Sequence, residues 1–247
     1  MINVEALVIR STTYGESNKI ITLYSKEMGK VGVMARGAKK PKSKLGPGSQ
    51  LLTHGHYLFQ KGRGLGTLYQ GEAIETFRYI KSDLKAMAYA AYMVDMVDKL
   101  TEDAQPFPSL FEWLLKLLEL LEEKRPPEVL RLIFDCRMLG LAGVAPEFDQ
   151  CASCGGKEAP FSFSIAFGGF LCHQCARKDE RSVSLPNAVS RLFYLFKRID
   201  PNKIGDISIK PETIKFMTAL LDAYYDHYSG LRLKTKQFID QLEKMDY

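Results

Sequence analysis

Five short runs of alternating apolar and polar residues crowd into the first 76 residues, with no helical stretch among them. The segments EALVIR, KIITLYS, KVGVMARG, LLTHGHYLFQ and LGTLYQGEAIE are rich in Val, Ile, Leu, Tyr and Thr, side chains that suit a pleated, half-buried surface. Turn residues separate them: TYGESN, KEMGK, a basic stretch with Pro and Gly, and KGRG. A sheet of this size with no helix laid over it either exposes two edges or closes on itself. The pattern therefore predicts a small closed barrel of five strands.

A five-stranded barrel of this length is of the OB-fold type. From Ser82 the period changes to that of helices. SDLKAMAYAAYMVDMVDKL opens on a Ser N-cap and ends at DAQPFPS; LFEWLLKLLELLEEK follows, and Pro126-Pro127 introduces PEVLRLIFDCRMLGLAG. Three more helical segments lie beyond residue 180: PNAVSRLFYLFKRI, PETIKFMTALLDAYYDHY and TKQFIDQLEKM. The predicted organisation is α+β and multidomain. Residues 1–80 form the barrel, 81–150 with 180–247 form a helical domain, and 151–179 form an insertion. At 46% hydrophobic and 26% charged over 247 residues, the chain has enough apolar material for a sizeable core. The longest apolar stretch, LFEWLLKLLELL, is broken by Glu112, Lys116 and Glu119, which predicts an amphipathic helix rather than a membrane span. MINVEALVIR has no charged region or small-residue cleavage site of a secretory signal, so a soluble cytoplasmic protein is expected.

The insertion holds four of the five cysteines as C-x2-C, seventeen residues, C-x2-C. A two-residue gap lets both thiolates of a knuckle face one centre, and two knuckles complete a tetrahedron with Zn–S near ~2.3 Å. Gly155 after Cys154 suits the tight turn that aims backbone N–H groups at sulfur. Between the knuckles FSFSIAF reads as a strand and GGF as a turn. The alternatives are a disulfide pair or four unrelated buried thiols, and a reducing compartment disfavours the disulfide. The expectation is one structural Zn²⁺ on Cys151, Cys154, Cys172 and Cys175, because four thiolates leave no open position for water or substrate. His173 lies inside the second knuckle as a spare ligand; Cys136, on an apolar helix, reads as a small core residue.

Charge is unevenly spread. The first 80 residues carry twelve Lys and Arg against five Asp and Glu, a net +7 on a chain whose total is +5. No acid occurs between Glu27 and Glu72, and the stretch RGAKKPKSKLGPG places five cations in nine residues: Arg36, Lys39, Lys40, Lys42 and Lys44. Pro41, Pro47 and the glycines exclude a helix or central strand, so these cations belong on an exposed loop between two barrel strands. Lysines match phosphate as point charges without reading base edges. The loop predicts a nucleic-acid grip, with Lys30, Lys61 and Arg63 as secondary contacts; the bland reading is a solubilising loop. Tyr24, Tyr57, Phe59 and Tyr69 are stacking candidates, although strand aromatics more often fill the core of a barrel.

No enzyme motif competes. KGRGLGT lacks the spacing of a phosphate-binding loop and lies between two strands, so it reads as a hairpin turn. His54 and His56 share a strand face without an accompanying ligand or nucleophile. A non-enzymatic protein is expected.

The stretch EALVIRSTTYGESNKIITLYSKEMGKVGVMARGAKKPKSKL, together with C-x2-C, F-x-x-x-x-G-G-F-x-C and the second C-x2-C, resembles the RecO family of bacterial recombination mediators. The resemblance implies binding of single- and double-stranded DNA, annealing of complementary strands, and interaction with single-strand-binding protein (SSB). It further implies that, with RecR, such a protein helps RecA replace SSB on gapped DNA, associated with the nucleoid and without hydrolysis. It puts the DNA grip on Arg36, Lys39, Lys40, Lys42 and Lys44 and the zinc on the four paired cysteines. A zinc-ribbon protein bound to RNA or the ribosome is the competing expectation.

Overall fold

A computed structural model describes residues 1–245. The chain packs into two units, one of Met1–Arg125 with the chain from Leu233 on, the other of Pro126–Arg232. These limits follow packing, whereas limits at residues 80, 150 and 179 follow the change of residue pattern.

The first unit opens with the closed barrel: β1 (Ile2–Tyr14), β2 (Asn18–Ser25), β3 (Gly29–Ala35), β4 (His54–Gln60) and β5 (Gly66–Glu75), in the order β1-β2-β3-β5-β4. β1 is long because it serves two neighbours, pairing Ala6–Tyr14 with β2 and Ile2–Leu7 with β4. A register shift between Val8 and Arg10 lets it bend from one to the other. Period-2 alternation sends Val4, Ala6, Val8, Ile21, Leu23, Val33, Tyr57, Phe59 and Leu68 into the barrel. Each of the larger ones contributes about 1.5–3 kcal/mol by leaving water. Consecutive strands are antiparallel, so the β1–β2 and β3–β4 connections lie at one end of the barrel and the β2–β3 and β4–β5 turns at the other. KGRG is the β4–β5 turn.

Helices α1 (Arg78–Ser82), α2 (Leu84–Leu100) and α3 (Pro108–Glu122) follow. Asp83, not Ser82, caps α2, its carboxylate accepting the Ala86 N–H at 2.7 Å. Ser82 instead ends α1, its hydroxyl donating to the Tyr79 carbonyl. The early N–H groups of α1, which no helical turn satisfies, donate to Glu122 of α3 from Tyr79 (2.8 Å) and Ile80 (3.0 Å). Phe111 of α3 meets Tyr24 of β2 with ring centroids 6.0 Å apart.

The second unit contains α4 (Pro127–Leu141), β6 (Phe161–Ser164), β7 (Gly169–Cys172), α5 (His173–Ala176), β8 (Val183–Ser184), α6 (Asn187–Arg198) and α7 (Pro211–Tyr228). The sequence placed a strand over FSFSIAF and a turn at GGF; the strand stops at Ser164, and Gly169-Phe170 begins β7. Here the glycine serves close approach: a Cβ on Gly169 would lie 2.4 Å from the Glu147 carbonyl oxygen. Phe148, stacked on Phe193 at 4.9 Å and against Phe170 at 5.1 Å, ties the β6–β7 hairpin to α6. Arg131, fully buried, holds Asp135 (3.2 Å) and Asp222 (2.5 Å) and so links α4 to α7.

The last helix, α8 (Lys234–Met245), belongs to the first unit, where Thr235 donates to Asp95 and Tyr89 to Glu243 of the α2–α8 pair. Among the described residues no helix is long and apolar enough to cross a membrane.

Candidate nucleic-acid interface and metal centre

The basic loop leaves β3 at Ala35 and is seated on the barrel rather than hanging free. The Gly37 N–H donates to the Asn18 side chain (2.8 Å) and the Lys39 N–H to the Ser17 carbonyl (2.9 Å), which ties the loop to the β1–β2 turn. Ala38 is buried in the barrel core. At the far end Tyr57 donates to the Gly48 carbonyl (2.9 Å) and Ser11 to the Ser49 carbonyl (2.7 Å). Gly48 is required there, since a Cβ would lie 2.7 Å from the Gly71 carbonyl oxygen.

With its backbone held, the loop turns its charges outward. Arg36, Lys39, Lys40, Lys42 and Lys44 are all exposed, and among the described residues none makes an ion pair. Lys61 and Arg63, on the β4–β5 turn at the opposite end of the barrel, are likewise exposed and make no ion pair among the described residues. Lys30 is different and must be removed from the contact set. It is 8% exposed, donates to the Asp98 carbonyl oxygen at 2.7 Å, and lies 3.4 Å from the Asp98 carboxylate and 3.5 Å from that of Asp103. Arg10 pairs with the same Asp98.

Between the two exposed clusters run the outward rows of the sheet. Thr12, Ile20, Met34 and Thr67 stand side by side across β1, β2, β3 and β5, and Arg10, Thr22 and Gly32 form the next row. Of the four aromatic candidates, Tyr24, Tyr57 and Phe59 are wholly buried, and Tyr69 alone is open to solvent, at 49%. Sequence reasoning missed Lys19, whose Nζ reaches the Ser49 carbonyl at 3.5 Å, and Arg78 and Lys81, which line a cleft beside the loop's end. The only sequence signal for Lys19 and Arg78 was the net charge of the first 80 residues, and Lys81 falls just beyond that count.

The paired cysteines converge as expected. The four Sγ atoms all lie within 4.8 Å of one another, with Cys154 and Cys172 at 3.8 Å, and no cysteine is in a disulfide. A tetrahedron with ~2.3 Å metal–sulfur bonds has edges of about 3.8 Å, so the donor set fits a thiophilic dication. The first knuckle is shaped by Gly155, at φ +74°, whose N–H donates to the Cys151 carbonyl at 2.8 Å. The second joins the end of β7 to the short α5. Burial disfavours a charged Cys151, yet N–H groups of Cys172, Cys154 and Ser153 outweigh it and bring the thiol down to about 6. Cys154 is pushed up to about 11: the Gly156 N–H favours its thiolate, but the crowd of neighbouring sulfurs opposes a further negative charge, a conflict that a bound dication relieves. His173 is exposed and outside the cluster. Cys136 is buried in α4 with its thiol pushed up by burial, which suits a core residue.

A closed five-stranded barrel with a cationic loop on its rim, in one chain with helices and a four-thiol ribbon, defines an OB-barrel protein with a four-cysteine insertion able to hold a metal ion. The chain belongs to the RecO family: residues 1–77 match the family's "Recombination protein O N terminal" domain and residues 81–237 its "Recombination protein O C terminal" domain. It is 46% identical over 243 residues to the DNA repair protein RecO of Halalkalibacterium halodurans, covering 98% of this chain and 96% of that one. To the DNA repair proteins RecO of Bacillus cereus and Bacillus anthracis it is 48% identical over 241 residues, covering 98% and 97%.

Proposed function

We propose that this chain is a non-enzymatic mediator of DNA repair and recombination. It binds single- and double-stranded DNA, anneals complementary strands, and with RecR helps RecA replace SSB on gapped DNA in the bacterial cytoplasm. Membership of the RecO family supports the repair role. The observation that carries DNA binding is the loop from Arg36 to Lys44, exposed, unpaired among the described residues, and held ready by its backbone.

Annealing requires two polyanions to approach, and clustered lysines lower that repulsion without demanding a sequence. Contacts confined to phosphate let strands slide into register. Because the loop is ordered before it meets DNA, little conformational entropy is lost on binding. The outward β2–β3 rows and Tyr69 offer a surface for bases, and Lys61 and Arg63 extend the positive field to the other rim. Zn²⁺ held by Cys151, Cys154, Cys172 and Cys175 supplies a structural crosslink, and its saturated ligand set leaves no place for a reacting water.

Annealing of SSB-coated complementary strands by the purified protein tests this reading, with matched RNA strands in parallel and the Lys39→Glu, Lys40→Glu, Lys42→Glu variant as control. Annealing of DNA by the wild type and its loss in the variant are expected. Retained annealing in the variant defeats the assignment of the loop, and equal or better action on RNA favours an RNA-associated role.

A further inference from the structure

Where the basic loop ends, a cleft of about 360 Å³ opens between the Pro47–Gln50 turn and helix α1, lined by Pro47, Gln50, Thr76, Arg78, Lys81 and Ser82. The cleft is shallow and open to solvent, a shape that suits a group on a polymer backbone. Every polar side chain of that lining carries a hydrogen-bond donor, and no carboxylate is among them. The acids whose charges act on Lys81 are hydrogen-bonded elsewhere: Glu75 accepts the N–H groups of Thr76 and Phe77, and Glu122 accepts those of Tyr79 and Ile80; Asp83, next to Ser82, accepts the Ala86 N–H.

Arg78 is exposed and, among the described residues, makes no ion pair. Lys81 is half-buried, and its Nζ reaches Thr53 Oγ1 at 3.3 Å; among the described residues no carboxylate is in ion-pair range of it. Burial lowers its pKa, a demand for an anion that Glu75 and Glu122 at longer range only partly meet. Phe77, wholly buried in a left-handed conformation at φ +50°, is the pivot that turns the chain from β5 into α1 beside this cleft.

We propose that this cleft binds one phosphate group of a nucleic-acid strand, with Arg78 and Lys81 as its ligands and Thr76 and Gln50 as supporting donors. The proposal rests on the loop's reading as a DNA grip. Pro47, three residues after Lys44, lines the cleft, so the chain of the loop itself leads to it. The shared chemistry is a phosphate, from within the strand or at its 5′ end.

Affinity for a single-stranded oligonucleotide, with and without a 5′ phosphate, is measured across a salt series for four proteins. These are the wild type, Arg78→Gln, Arg78→Gln with Lys81→Gln, and Lys39→Gln with Lys40→Gln and Lys42→Gln. Loss of one phosphate contact lowers the magnitude of the log–log salt slope by about 0.7 on a single strand and the affinity roughly tenfold in the cleft double variant. Arg78→Gln, at an exposed position, shows a smaller loss in the same direction. A wild-type preference for the 5′ phosphate that the cleft variants abolish assigns the terminal group; equal losses on both oligonucleotides assign an internal one. Unchanged slope and affinity in both cleft variants, with the loop variant weakened, overturns the cleft and leaves the loop standing. Salt-insensitive binding by the wild type defeats both.

Discussion

The first third of the chain carries two kinds of cation, and the sequence does not tell them apart. Lys30 and Lys39 are nine residues apart in the same acid-free stretch. Lys30 is buried against Asp98 and Asp103. Lys39 is exposed and, among the described residues, unpaired. The difference lies in what each backbone position faces. Lys30 is on β3 and points at α2, so its charge is covered and must be matched. Lys39 follows a buried Ala38 on a loop whose backbone is hydrogen-bonded inward, so its side chain has solvent before it. Cations of the first kind hold the fold together; those of the second have no internal counter-ion among the described residues.

The largest effect is expected from reversing the second kind. Lys39→Glu, Lys40→Glu and Lys42→Glu together replace attraction by repulsion and should weaken DNA binding about a thousandfold or more at low salt. The melting temperature should stay within a degree or two, because no internal pair is lost. A collapsed fold would show that the loop charges are structural after all.

Metal removal separates the two units. Stripping a four-thiolate site removes several kcal/mol of local folding free energy, so a strong chelator, or Cys172→Ser, should melt the ribbon early in a thermal scan. The salt slope of DNA binding should be preserved, since the loop belongs to the barrel unit. Metal analysis of the native protein should return one zinc per chain.

Lys30→Ala sharpens the contrast. It leaves Asp98 buried with Arg10 as its remaining cation, and should lower stability by about 3 kcal/mol in a denaturant titration. The salt slope should not move. A fall in slope equal to that of a loop lysine would return Lys30 to the contact set. Smallest of all, Lys61→Gln with Arg63→Gln should weaken binding by a few-fold without touching stability, as expected of exposed charges at the far rim.

The barrel was legible because period-2 alternation is local. The five strands fall where the pattern put them, although β1 runs to thirteen residues because it pairs on both sides, which no local pattern reveals. The cysteine spacing was legible because it encodes a geometry outright. The α2 cap was misplaced by one residue: Ser82 and Asp83 are both capping types, and only the hydrogen bond to Ala86 decides between them. Lys30 was misread because its partner Asp98 is 68 residues away. The burial of Tyr24, Tyr57 and Phe59 and the exposure of Tyr69 likewise depend on which face of a closed sheet each residue takes. Lys81 lies outside the basic run, and only the fold brings it to the loop's end.

The most direct measurement is the salt dependence of single-stranded DNA affinity for the intact protein and for the triple Glu variant. About five neutralised phosphates give a log–log slope of about −3.5 on a single strand in the wild type, and the variant should retain little of it. A wild-type slope near about −1, or a variant slope equal to that of the wild type, would contradict the claim that these unpaired cations are the grip.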